Sequence, residues 1–281
     1  MIEFLKLPKI SFDVNPYTYS LDDGEKLGKE SISRISKISD GDNFGVASNW
    51  AAKLVSSEIL NLFKADTSYT KEEIELMAKD AKSAPRKIRD SAAVAGSGFH
   101  FYAEQYCRWL INQKSEAEHP ISLGMSSLRP DLPQEETEKR CAESIKEFID
   151  EHIEPVGSEL RVLYKPQSGG YPIPGTTDLV CRLKSSPGDF CVLDWKGVTS
   201  FRYNIRASHV VQLYAYGQAL RQAGNDITHL ILVRIERESG KLLAHKFGFD
   251  HADTLGHLFE SCINISRYKE PHKMEIGGKN A

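Results

Sequence analysis

Between Glu159 and Trp195 the chain carries three apolar runs of strand character in close succession, and this cluster limits the possible folds more than any other feature. The runs are Leu160–Tyr164, Thr176–Leu183 and Phe190–Trp195, separated by Gly169-Gly170 and by Ser186-Pro187-Gly188. Their β-branched and aromatic residues suit a pleated surface, and the Gly and Pro breaks suit tight turns. A helical stretch follows over Ala207–Ala223, then a strong strand at His229–Ile235, a hairpin partner over Lys241–Phe247 and a closing helix over His251–Tyr268. Upstream, Gln134–Ile153 is amphipathic at helical spacing, with Cys141, Ile145, Phe148 and Ile149 on one side and Pro155 as its stop. The order helix, three strands, helix, strand predicts an α/β (α+β) fold, a central mixed sheet flanked by helices.

The N-terminal part has a different texture. Residues 1–45 read as loosely organised, with turn signals at Asn15-Pro16, Asp22-Asp23-Gly24 and Asp40-Gly41-Asp42. Ser48 is placed to cap a helix over Asn49–Lys64, with Trp50 and Leu54 on its apolar side, and Thr70 begins another. A basic stretch at Lys82, Arg86, Lys87 and Arg89 precedes a third helix over Ser91–Gln113. Residues 115–133, with Pro120, Pro130 and Pro133, read as a loop. The expected division is a helical N-terminal region over 1–90 packed on the core, a core over 91–270 and a frayed tail over 271–281.

Composition narrows the function. With 40% hydrophobic and 27% charged residues and a net charge of -3, this is an ordinary globular chain. No apolar run reaches bilayer-spanning length and the N-terminus lacks a signal-peptide pattern, so no membrane association is expected. The expected location is the cytoplasm or an equivalent reducing compartment, consistent with a phage or bacterial origin. The 5 cysteines (Cys107, Cys141, Cys181, Cys191 and Cys262) form no CxxC pair, which argues against a zinc ribbon or a disulfide framework; they read as buried thiols. No GxxxxGK[ST] loop is present, so no nucleotide is expected. The mild acidity requires any nucleic-acid surface to be locally basic.

Two short strings carry the chemistry. Gly175-Thr-Thr-Asp178 opens the second strand and Asp194-Trp195-Lys196 ends the third. Alternation places Asp194 and Lys196 on one face and Trp195 on the other, and a hairpin through Gly188 brings Asp178 beside Asp194. Carboxylates set among apolar strand residues are costly unless compensated, and ligation of a hard divalent cation would compensate them. The plainer alternative is a strand-end Asp–Lys pair at a solvated edge.

Gly175-xx-Asp178, Asp194-x-Lys196 and Gln212-xxx-Tyr216, with an upstream Gly96-Ser-Gly-Phe-His100 and Glu104 one turn later, resemble the RecB-like branch of the PD-(D/E)xK nucleases. The motifs fall in that branch's order over roughly Ser91 to Arg234, and the layout is similar to that of its mitochondrial and phage exonucleases. The resemblance implies a restriction-endonuclease-like core and a site for Mg²⁺ or Mn²⁺. His100, Asp178, Asp194 and the backbone carbonyl of Trp195 would be ligands, with Glu159 as an accessory one through water. It also implies that Lys196 orients or deprotonates the attacking water, and that Gln212 and Tyr216 border the site. Alone, His100 reads as a structural histidine, and Gln212 and Tyr216 as polar tips of an amphipathic helix; only the joint pattern gives them roles. Cys262 is the only cysteine near the C-terminus, so the iron–sulfur cluster of some relatives is not expected.

The expected function is a metal-dependent DNA exonuclease acting on single-stranded ends, with recombination, repair or replication proteins as possible partners. Lys82, Arg86, Lys87, Arg89, Arg202 and Arg206 would supply phosphate contacts. A structure-specific or restriction-type endonuclease would use the same site. A catalytically silent DNA- or partner-binding module is the alternative of another class.

Overall fold

The computed structural model describes residues 5–13, 18–21, 24, 26–27, 30–41, 44–62, 67–112 and 136–269, without the side chains of 12–13, 18, 44–50, 88–97, 136–138 and 269. The chain divides into two compact units, Gly41–Ser97 and the remainder, Met1–Asp40 with Gly98–Ala281.

The larger unit is built on a sheet of five strands: β4 (Ile153–Tyr164), β5 (Ile173–Leu183), β6 (Ser186–Val198), β7 (Ile227–Glu236) and β8 (Leu242–Phe247). They lie side by side in chain order. β6 and β7 run parallel, whereas the other neighbours are antiparallel. The reason lies in the connections: tight turns give antiparallel pairs, and a crossover helix between β6 and β7 gives the parallel one. The sheet is therefore mixed and flanked by helices, as the element order predicts.

Each face of the sheet carries its own apolar layer. Val162, Val180, Val192, Leu230 and Leu232 pack with α1 (Ile32–Ser36), α5 (Ala207–Gln222) and α6 (Ala252–Lys269), through Ile35, Val211, Leu213, Tyr214 and Phe259. Leu179, Cys181, Leu193, Trp195, Ile231 and Val233 pack the other way, against Phe99, Tyr102, Tyr106, Ile145 and Ile149. Those five partners come from the end of α3 (Lys71–Ile111) and from α4 (Glu136–His152). The switch of layer between Leu193 and Val192, and between Leu179 and Val180, is the period of two expected of strands buried on both faces. All five cysteines are free and buried, with Cys181 directly across from Cys191.

The N-terminal residues of this unit are more ordered than their turn signals suggest. β1 (Ile10–Asp13), β2 (Thr18–Leu21) and β3 (Lys26–Leu27) form a small antiparallel sheet, followed by α1 and a 3₁₀ turn over Lys37–Asp40. Asp40 then holds the start of α5: its carboxylate accepts from Ser208 N at 2.8 Å and from Ser208 Oγ at 2.7 Å. Pro155, expected to stop the helix, lies inside β4; the helix has already ended at His152. β4 is an edge strand with a bulge at Pro155–Gly157, which is where a sheet tolerates a missing N–H.

The smaller unit contains α2 (Phe44–Leu62) and the first part of α3. Thr70 starts α3 through a reciprocal cap, Glu73 N donating to Thr70 Oγ1 at 3.2 Å and Thr70 N to Glu73 Oε2 at 2.8 Å. The sequence breaks this stretch into two helices at the basic residues, with a boundary near residue 90. The structure carries one helix through Pro85, and the division between units falls at Ser97–Gly98. The loop expected at 115–133 and the tail at 271–281 lie outside the described residues. Among the described residues no helix is long and apolar enough to cross a membrane.

Candidate active site

The register of β5 and β6 sets the centre of the site. Leu179 pairs with Leu193, so one further step along each strand sets Asp178 opposite Asp194. Asp178 Oδ2 accepts the backbone N–H of Trp195 at 2.9 Å and lies 3.3 Å from Nδ1 of His100, which α3 supplies. Lys196 Nζ lies 2.6 Å from Asp194 Oδ2 as an ion pair. Asp194 is completely buried, and among the described residues its Oδ1 has no hydrogen-bond donor, Lys196 serving only Oδ2. Such a carboxylate is expensive to bury, and the lysine offsets only part of the cost.

The titration behaviour follows from this packing. Burial pushes Asp194 up to about 6, Lys196 opposing the shift and Asp178 adding to it. Burial also works against Asp178 ionising, but His100, Lys196 and the Trp195 N–H outweigh it and hold that carboxyl below its usual range. His100 is likewise penalised by burial, yet Asp178 keeps its pKa above the ordinary histidine value. Lys196, desolvated but facing two aspartates, is held above the ordinary lysine range and so stays an ammonium at neutral pH.

Two further carboxylates converge on Asp178. The pairs Ser158–Leu179 and Leu160–Thr177 place Glu159 across from it on β4. Glu159 has φ 52°, in the left-handed region that residues other than glycine seldom occupy. Burial, then Asp178, then Glu104 raise its pKa to about 7. Glu104 lies one turn beyond His100, is raised by burial, and is paired with Arg108 at 2.7 Å. Among the described residues, no three His, Cys, Asp or Glu side chains form a preformed cage for a metal ion.

α5 closes the site from the sheet face that carries Val180 and Val192. Gln212 Nε2 donates to the Tyr216 hydroxyl at 2.8 Å, and Tyr216 is buried with its pKa raised by burial and by Asp194. The glycine of Gly175-xx-Asp178 has a packing reason: a Cβ there would come 2.7 Å from Tyr216 Cε1 and 3.0 Å from Ile32 Cδ1. Tyr214 and Tyr216 both pack in the apolar layer on this face.

A cationic flank lies on the other side of Lys196. Arg234 stands beside Lys196 in the β6–β7 ladder and is 5% exposed. Its guanidinium donates to the carbonyls of Tyr203 at 2.7 Å and Ser200 at 3.5 Å, and lies 5.6 Å from the Phe201 ring centre. It thereby ties the β6–α5 loop, with the exposed Arg202 and Arg206, to the sheet. His209 is held down to about 4, first by burial and then by the charges of Lys196 and Arg206.

His209 and Arg234 are the members of this neighbourhood that sequence patterns do not single out. The spacing 209, 212, 216 does put His209 on the Gln212–Tyr216 face of α5, and that is the one available signal. Lys82, Arg86 and Lys87 belong to the smaller unit, where they are exposed and Lys87 pairs with Asp80 at 2.7 Å. The Arg89 side chain lies outside the described residues. A cavity of about 350 Å³ lined by Leu110, Ile149, Glu154 and Arg182 includes none of the clustered residues.

Neither the known family models nor the curated proteins contain a match to this chain. Among solved structures, one titled "Crystal structure of SSO0001" is similar over 58% of this chain and 71% of that one, at 17% identity and a TM-score of 0.31.

Proposed function

We propose that the chain is a metal-dependent deoxyribonuclease with a PD-(D/E)xK-type core, acting as an exonuclease on single-stranded ends. The observation that carries this reading is the buried Asp194: Lys196 stands 2.6 Å from its Oδ2, its Oδ1 finds no donor among the described residues, and Asp178, held by His100, lies across the hairpin. Oxygen donors left unsatisfied in this way fit a hard divalent cation in kind.

Asp178, Asp194, the Trp195 carbonyl and His100 would hold Mg²⁺ or Mn²⁺, with Glu159 near enough in register to Asp178 to assist. A bound metal of this class supplies a water of lowered pKa and a positive charge for the phosphate oxygens. The protein's own groups do the rest. Lys196, kept protonated by its two aspartates, acts as a fixed positive donor toward the phosphate as negative charge builds during water attack, rather than as the base. Gln212 and Tyr216, joined by their own hydrogen bond, would border the site near Asp194. The exposed Arg202 and Arg206 of the β6–α5 loop, which Arg234 ties to the sheet beside Lys196, would hold the adjoining phosphates.

End-labelled single- and double-stranded DNA, incubated with Mg²⁺, Mn²⁺ or EDTA, tests the proposal. Loss of label from linear single strands with either metal, none in EDTA, and no cutting of closed circles is expected. Cleavage that persists in chelator refutes the metal site, and efficient cutting of circles replaces the exonuclease with an endonuclease.

A further inference from the structure

Tyr203 is 67% exposed. A lone exposed aromatic ring is ordinary and needs no explanation, but the surroundings of this one do. Its backbone carbonyl is gripped at 2.7 Å by the guanidinium of Arg234, a side chain only 5% exposed. Among the described residues no carboxylate lies within ion-pair distance of that guanidinium; it is satisfied by the carbonyls of Tyr203 and Ser200 and by the Phe201 ring. Burying a cation without a counter-ion is costly, and here the result is a fixed backbone under an exposed ring. Ile205, packed against the core, anchors the loop on the other side. The ring thus stands on a pinned loop between two exposed arginines, Arg202 and Arg206, beside the strand that carries Asp194 and Lys196.

We propose that the loop Thr199–Arg206 is a nucleotide clamp beside the cleavage centre, in which the Tyr203 ring stacks on an unpaired base and Arg202 and Arg206 hold the adjoining phosphates. The inference rests on the nuclease reading and names what that site selects. Every base has a π-face, so a stacking platform takes any sequence, whereas the faces of a base inside a duplex are already covered by its neighbours. The clamp therefore favours unpaired strands through the base and tethers them through charge. It also gives a locally basic surface to a chain whose net charge is -3. Tyr171 is an internal contrast. It is 75% exposed and its carbonyl is likewise held, by Arg267 at 2.7 Å. Yet it follows Gly170 and precedes Pro172, with no arginine flanking it in sequence, and Arg267 has Glu30 at 3.7 Å.

The test is binding of a fluorescent single-stranded oligonucleotide with metal chelated, so that nothing is cut, followed by a series in which one abasic position is moved along the strand. Tyr203→Ala weakens binding about tenfold, Tyr203→Phe stays within about twofold of the wild type, and Tyr171→Ala has no effect. For the wild type, one abasic position costs about the same tenfold, and Tyr203→Ala abolishes that dependence. Tyr203→Ala leaves the salt dependence of binding unchanged, while Arg202→Ala and Arg206→Ala each flatten its logarithmic slope by about 0.7. If the wild type cuts DNA with metal but Tyr203→Ala binds like it, or the abasic dependence survives in the variant, the clamp is refuted and the nuclease reading stands. If the wild type neither binds nor cuts any strand, both fall together.

Discussion

The two flanks of the Asp194–Lys196 pair carry opposite charge, and each holds one histidine. On one flank His100 faces Asp178, with Glu104 and Glu159 behind it; on the other His209 faces Lys196 and Arg206, with Arg234 nearby. Both imidazoles are penalised by burial. The carboxylates overcome that penalty at His100 and raise its pKa, whereas the cations add to it at His209 and hold the ring down to about 4. The residue type is the same and the two shifts run in opposite directions, so the local field rather than the side chain sets the behaviour of each ring. An acidic flank suits a metal ion and a cationic flank suits a phosphate chain. A site that joins water activation to polyanion binding needs both within reach of one lysine.

Removing the centre of this polarity has the largest effect. Asp194→Asn keeps the shape and deletes the charge, and we expect cleavage to fall by about a thousandfold or more, as the loss of several kcal/mol of charge stabilisation requires. Near-normal turnover would mean that the buried carboxylate serves packing alone. Lys196→Ala comes next, with a fall of about a hundredfold to a thousandfold, the usual loss for one fixed donor to a developing negative charge. Metal binding measured by calorimetry should survive this change, because both aspartates remain. Metal affinity lost in step with cleavage would make the lysine a support for the aspartates and not a partner of the phosphate.

His100→Ala is a finer cut at the acidic flank. One donor of several is removed, so metal affinity should weaken by about tenfold while the circular-dichroism melt stays cooperative. The site tolerates the loss of a partly exposed ring better than that of a core residue, since the His100 side chain is 31% exposed. A variant that unfolds would show the His100–Asp178 contact to be structural.

How much of this can be read from the sequence depends on the range of the interaction. The alternation of Asp194, Trp195 and Lys196 is local and places the central pair in β6, but the hairpin turns at Lys184–Ser185, and Gly188, read as the turn, lies inside the strand. The start of α3 at Thr70 is equally legible, whereas Ser48, read as a cap for a helix from Asn49, lies inside α2, which begins at Phe44. Gly175 is legible only as a motif letter; its reason, the approach of Tyr216 and Ile32, comes from two distant helices. Arg234 reads as one charge in an apolar strand until the parallel register sets it beside Lys196. His209 is not legible, because nothing within its own sequence neighbourhood announces the cations that surround it in space. The strands of the small N-terminal sheet, at two to four residues, are too short to show a period in the sequence.

His209 offers the most delicate test of the polarity, because it can be read without turnover. Its folded pKa of about 4 lies below the roughly 6.5 expected of an unfolded histidine. Between those values the unfolded chain binds more protons than the folded one, so this residue makes stability rise with pH. Its contribution is fully present above about pH 6.5 and is lost as the pH falls toward 4. In a histidine-resolved NMR titration, its ring resonances should stay at their neutral positions down to about pH 4 while those of His100 titrate above the ordinary value. Arg206→Ala should move the His209 pKa upward and leave His100 where it is, because only the cationic flank has changed. The slope of thermal stability against pH between about 4 and 6.5 should flatten in the same variant. A His209 that titrates normally in the wild type would mean that the second flank is not cationic at this ring, and the comparison between the two histidines would fail at its weaker end.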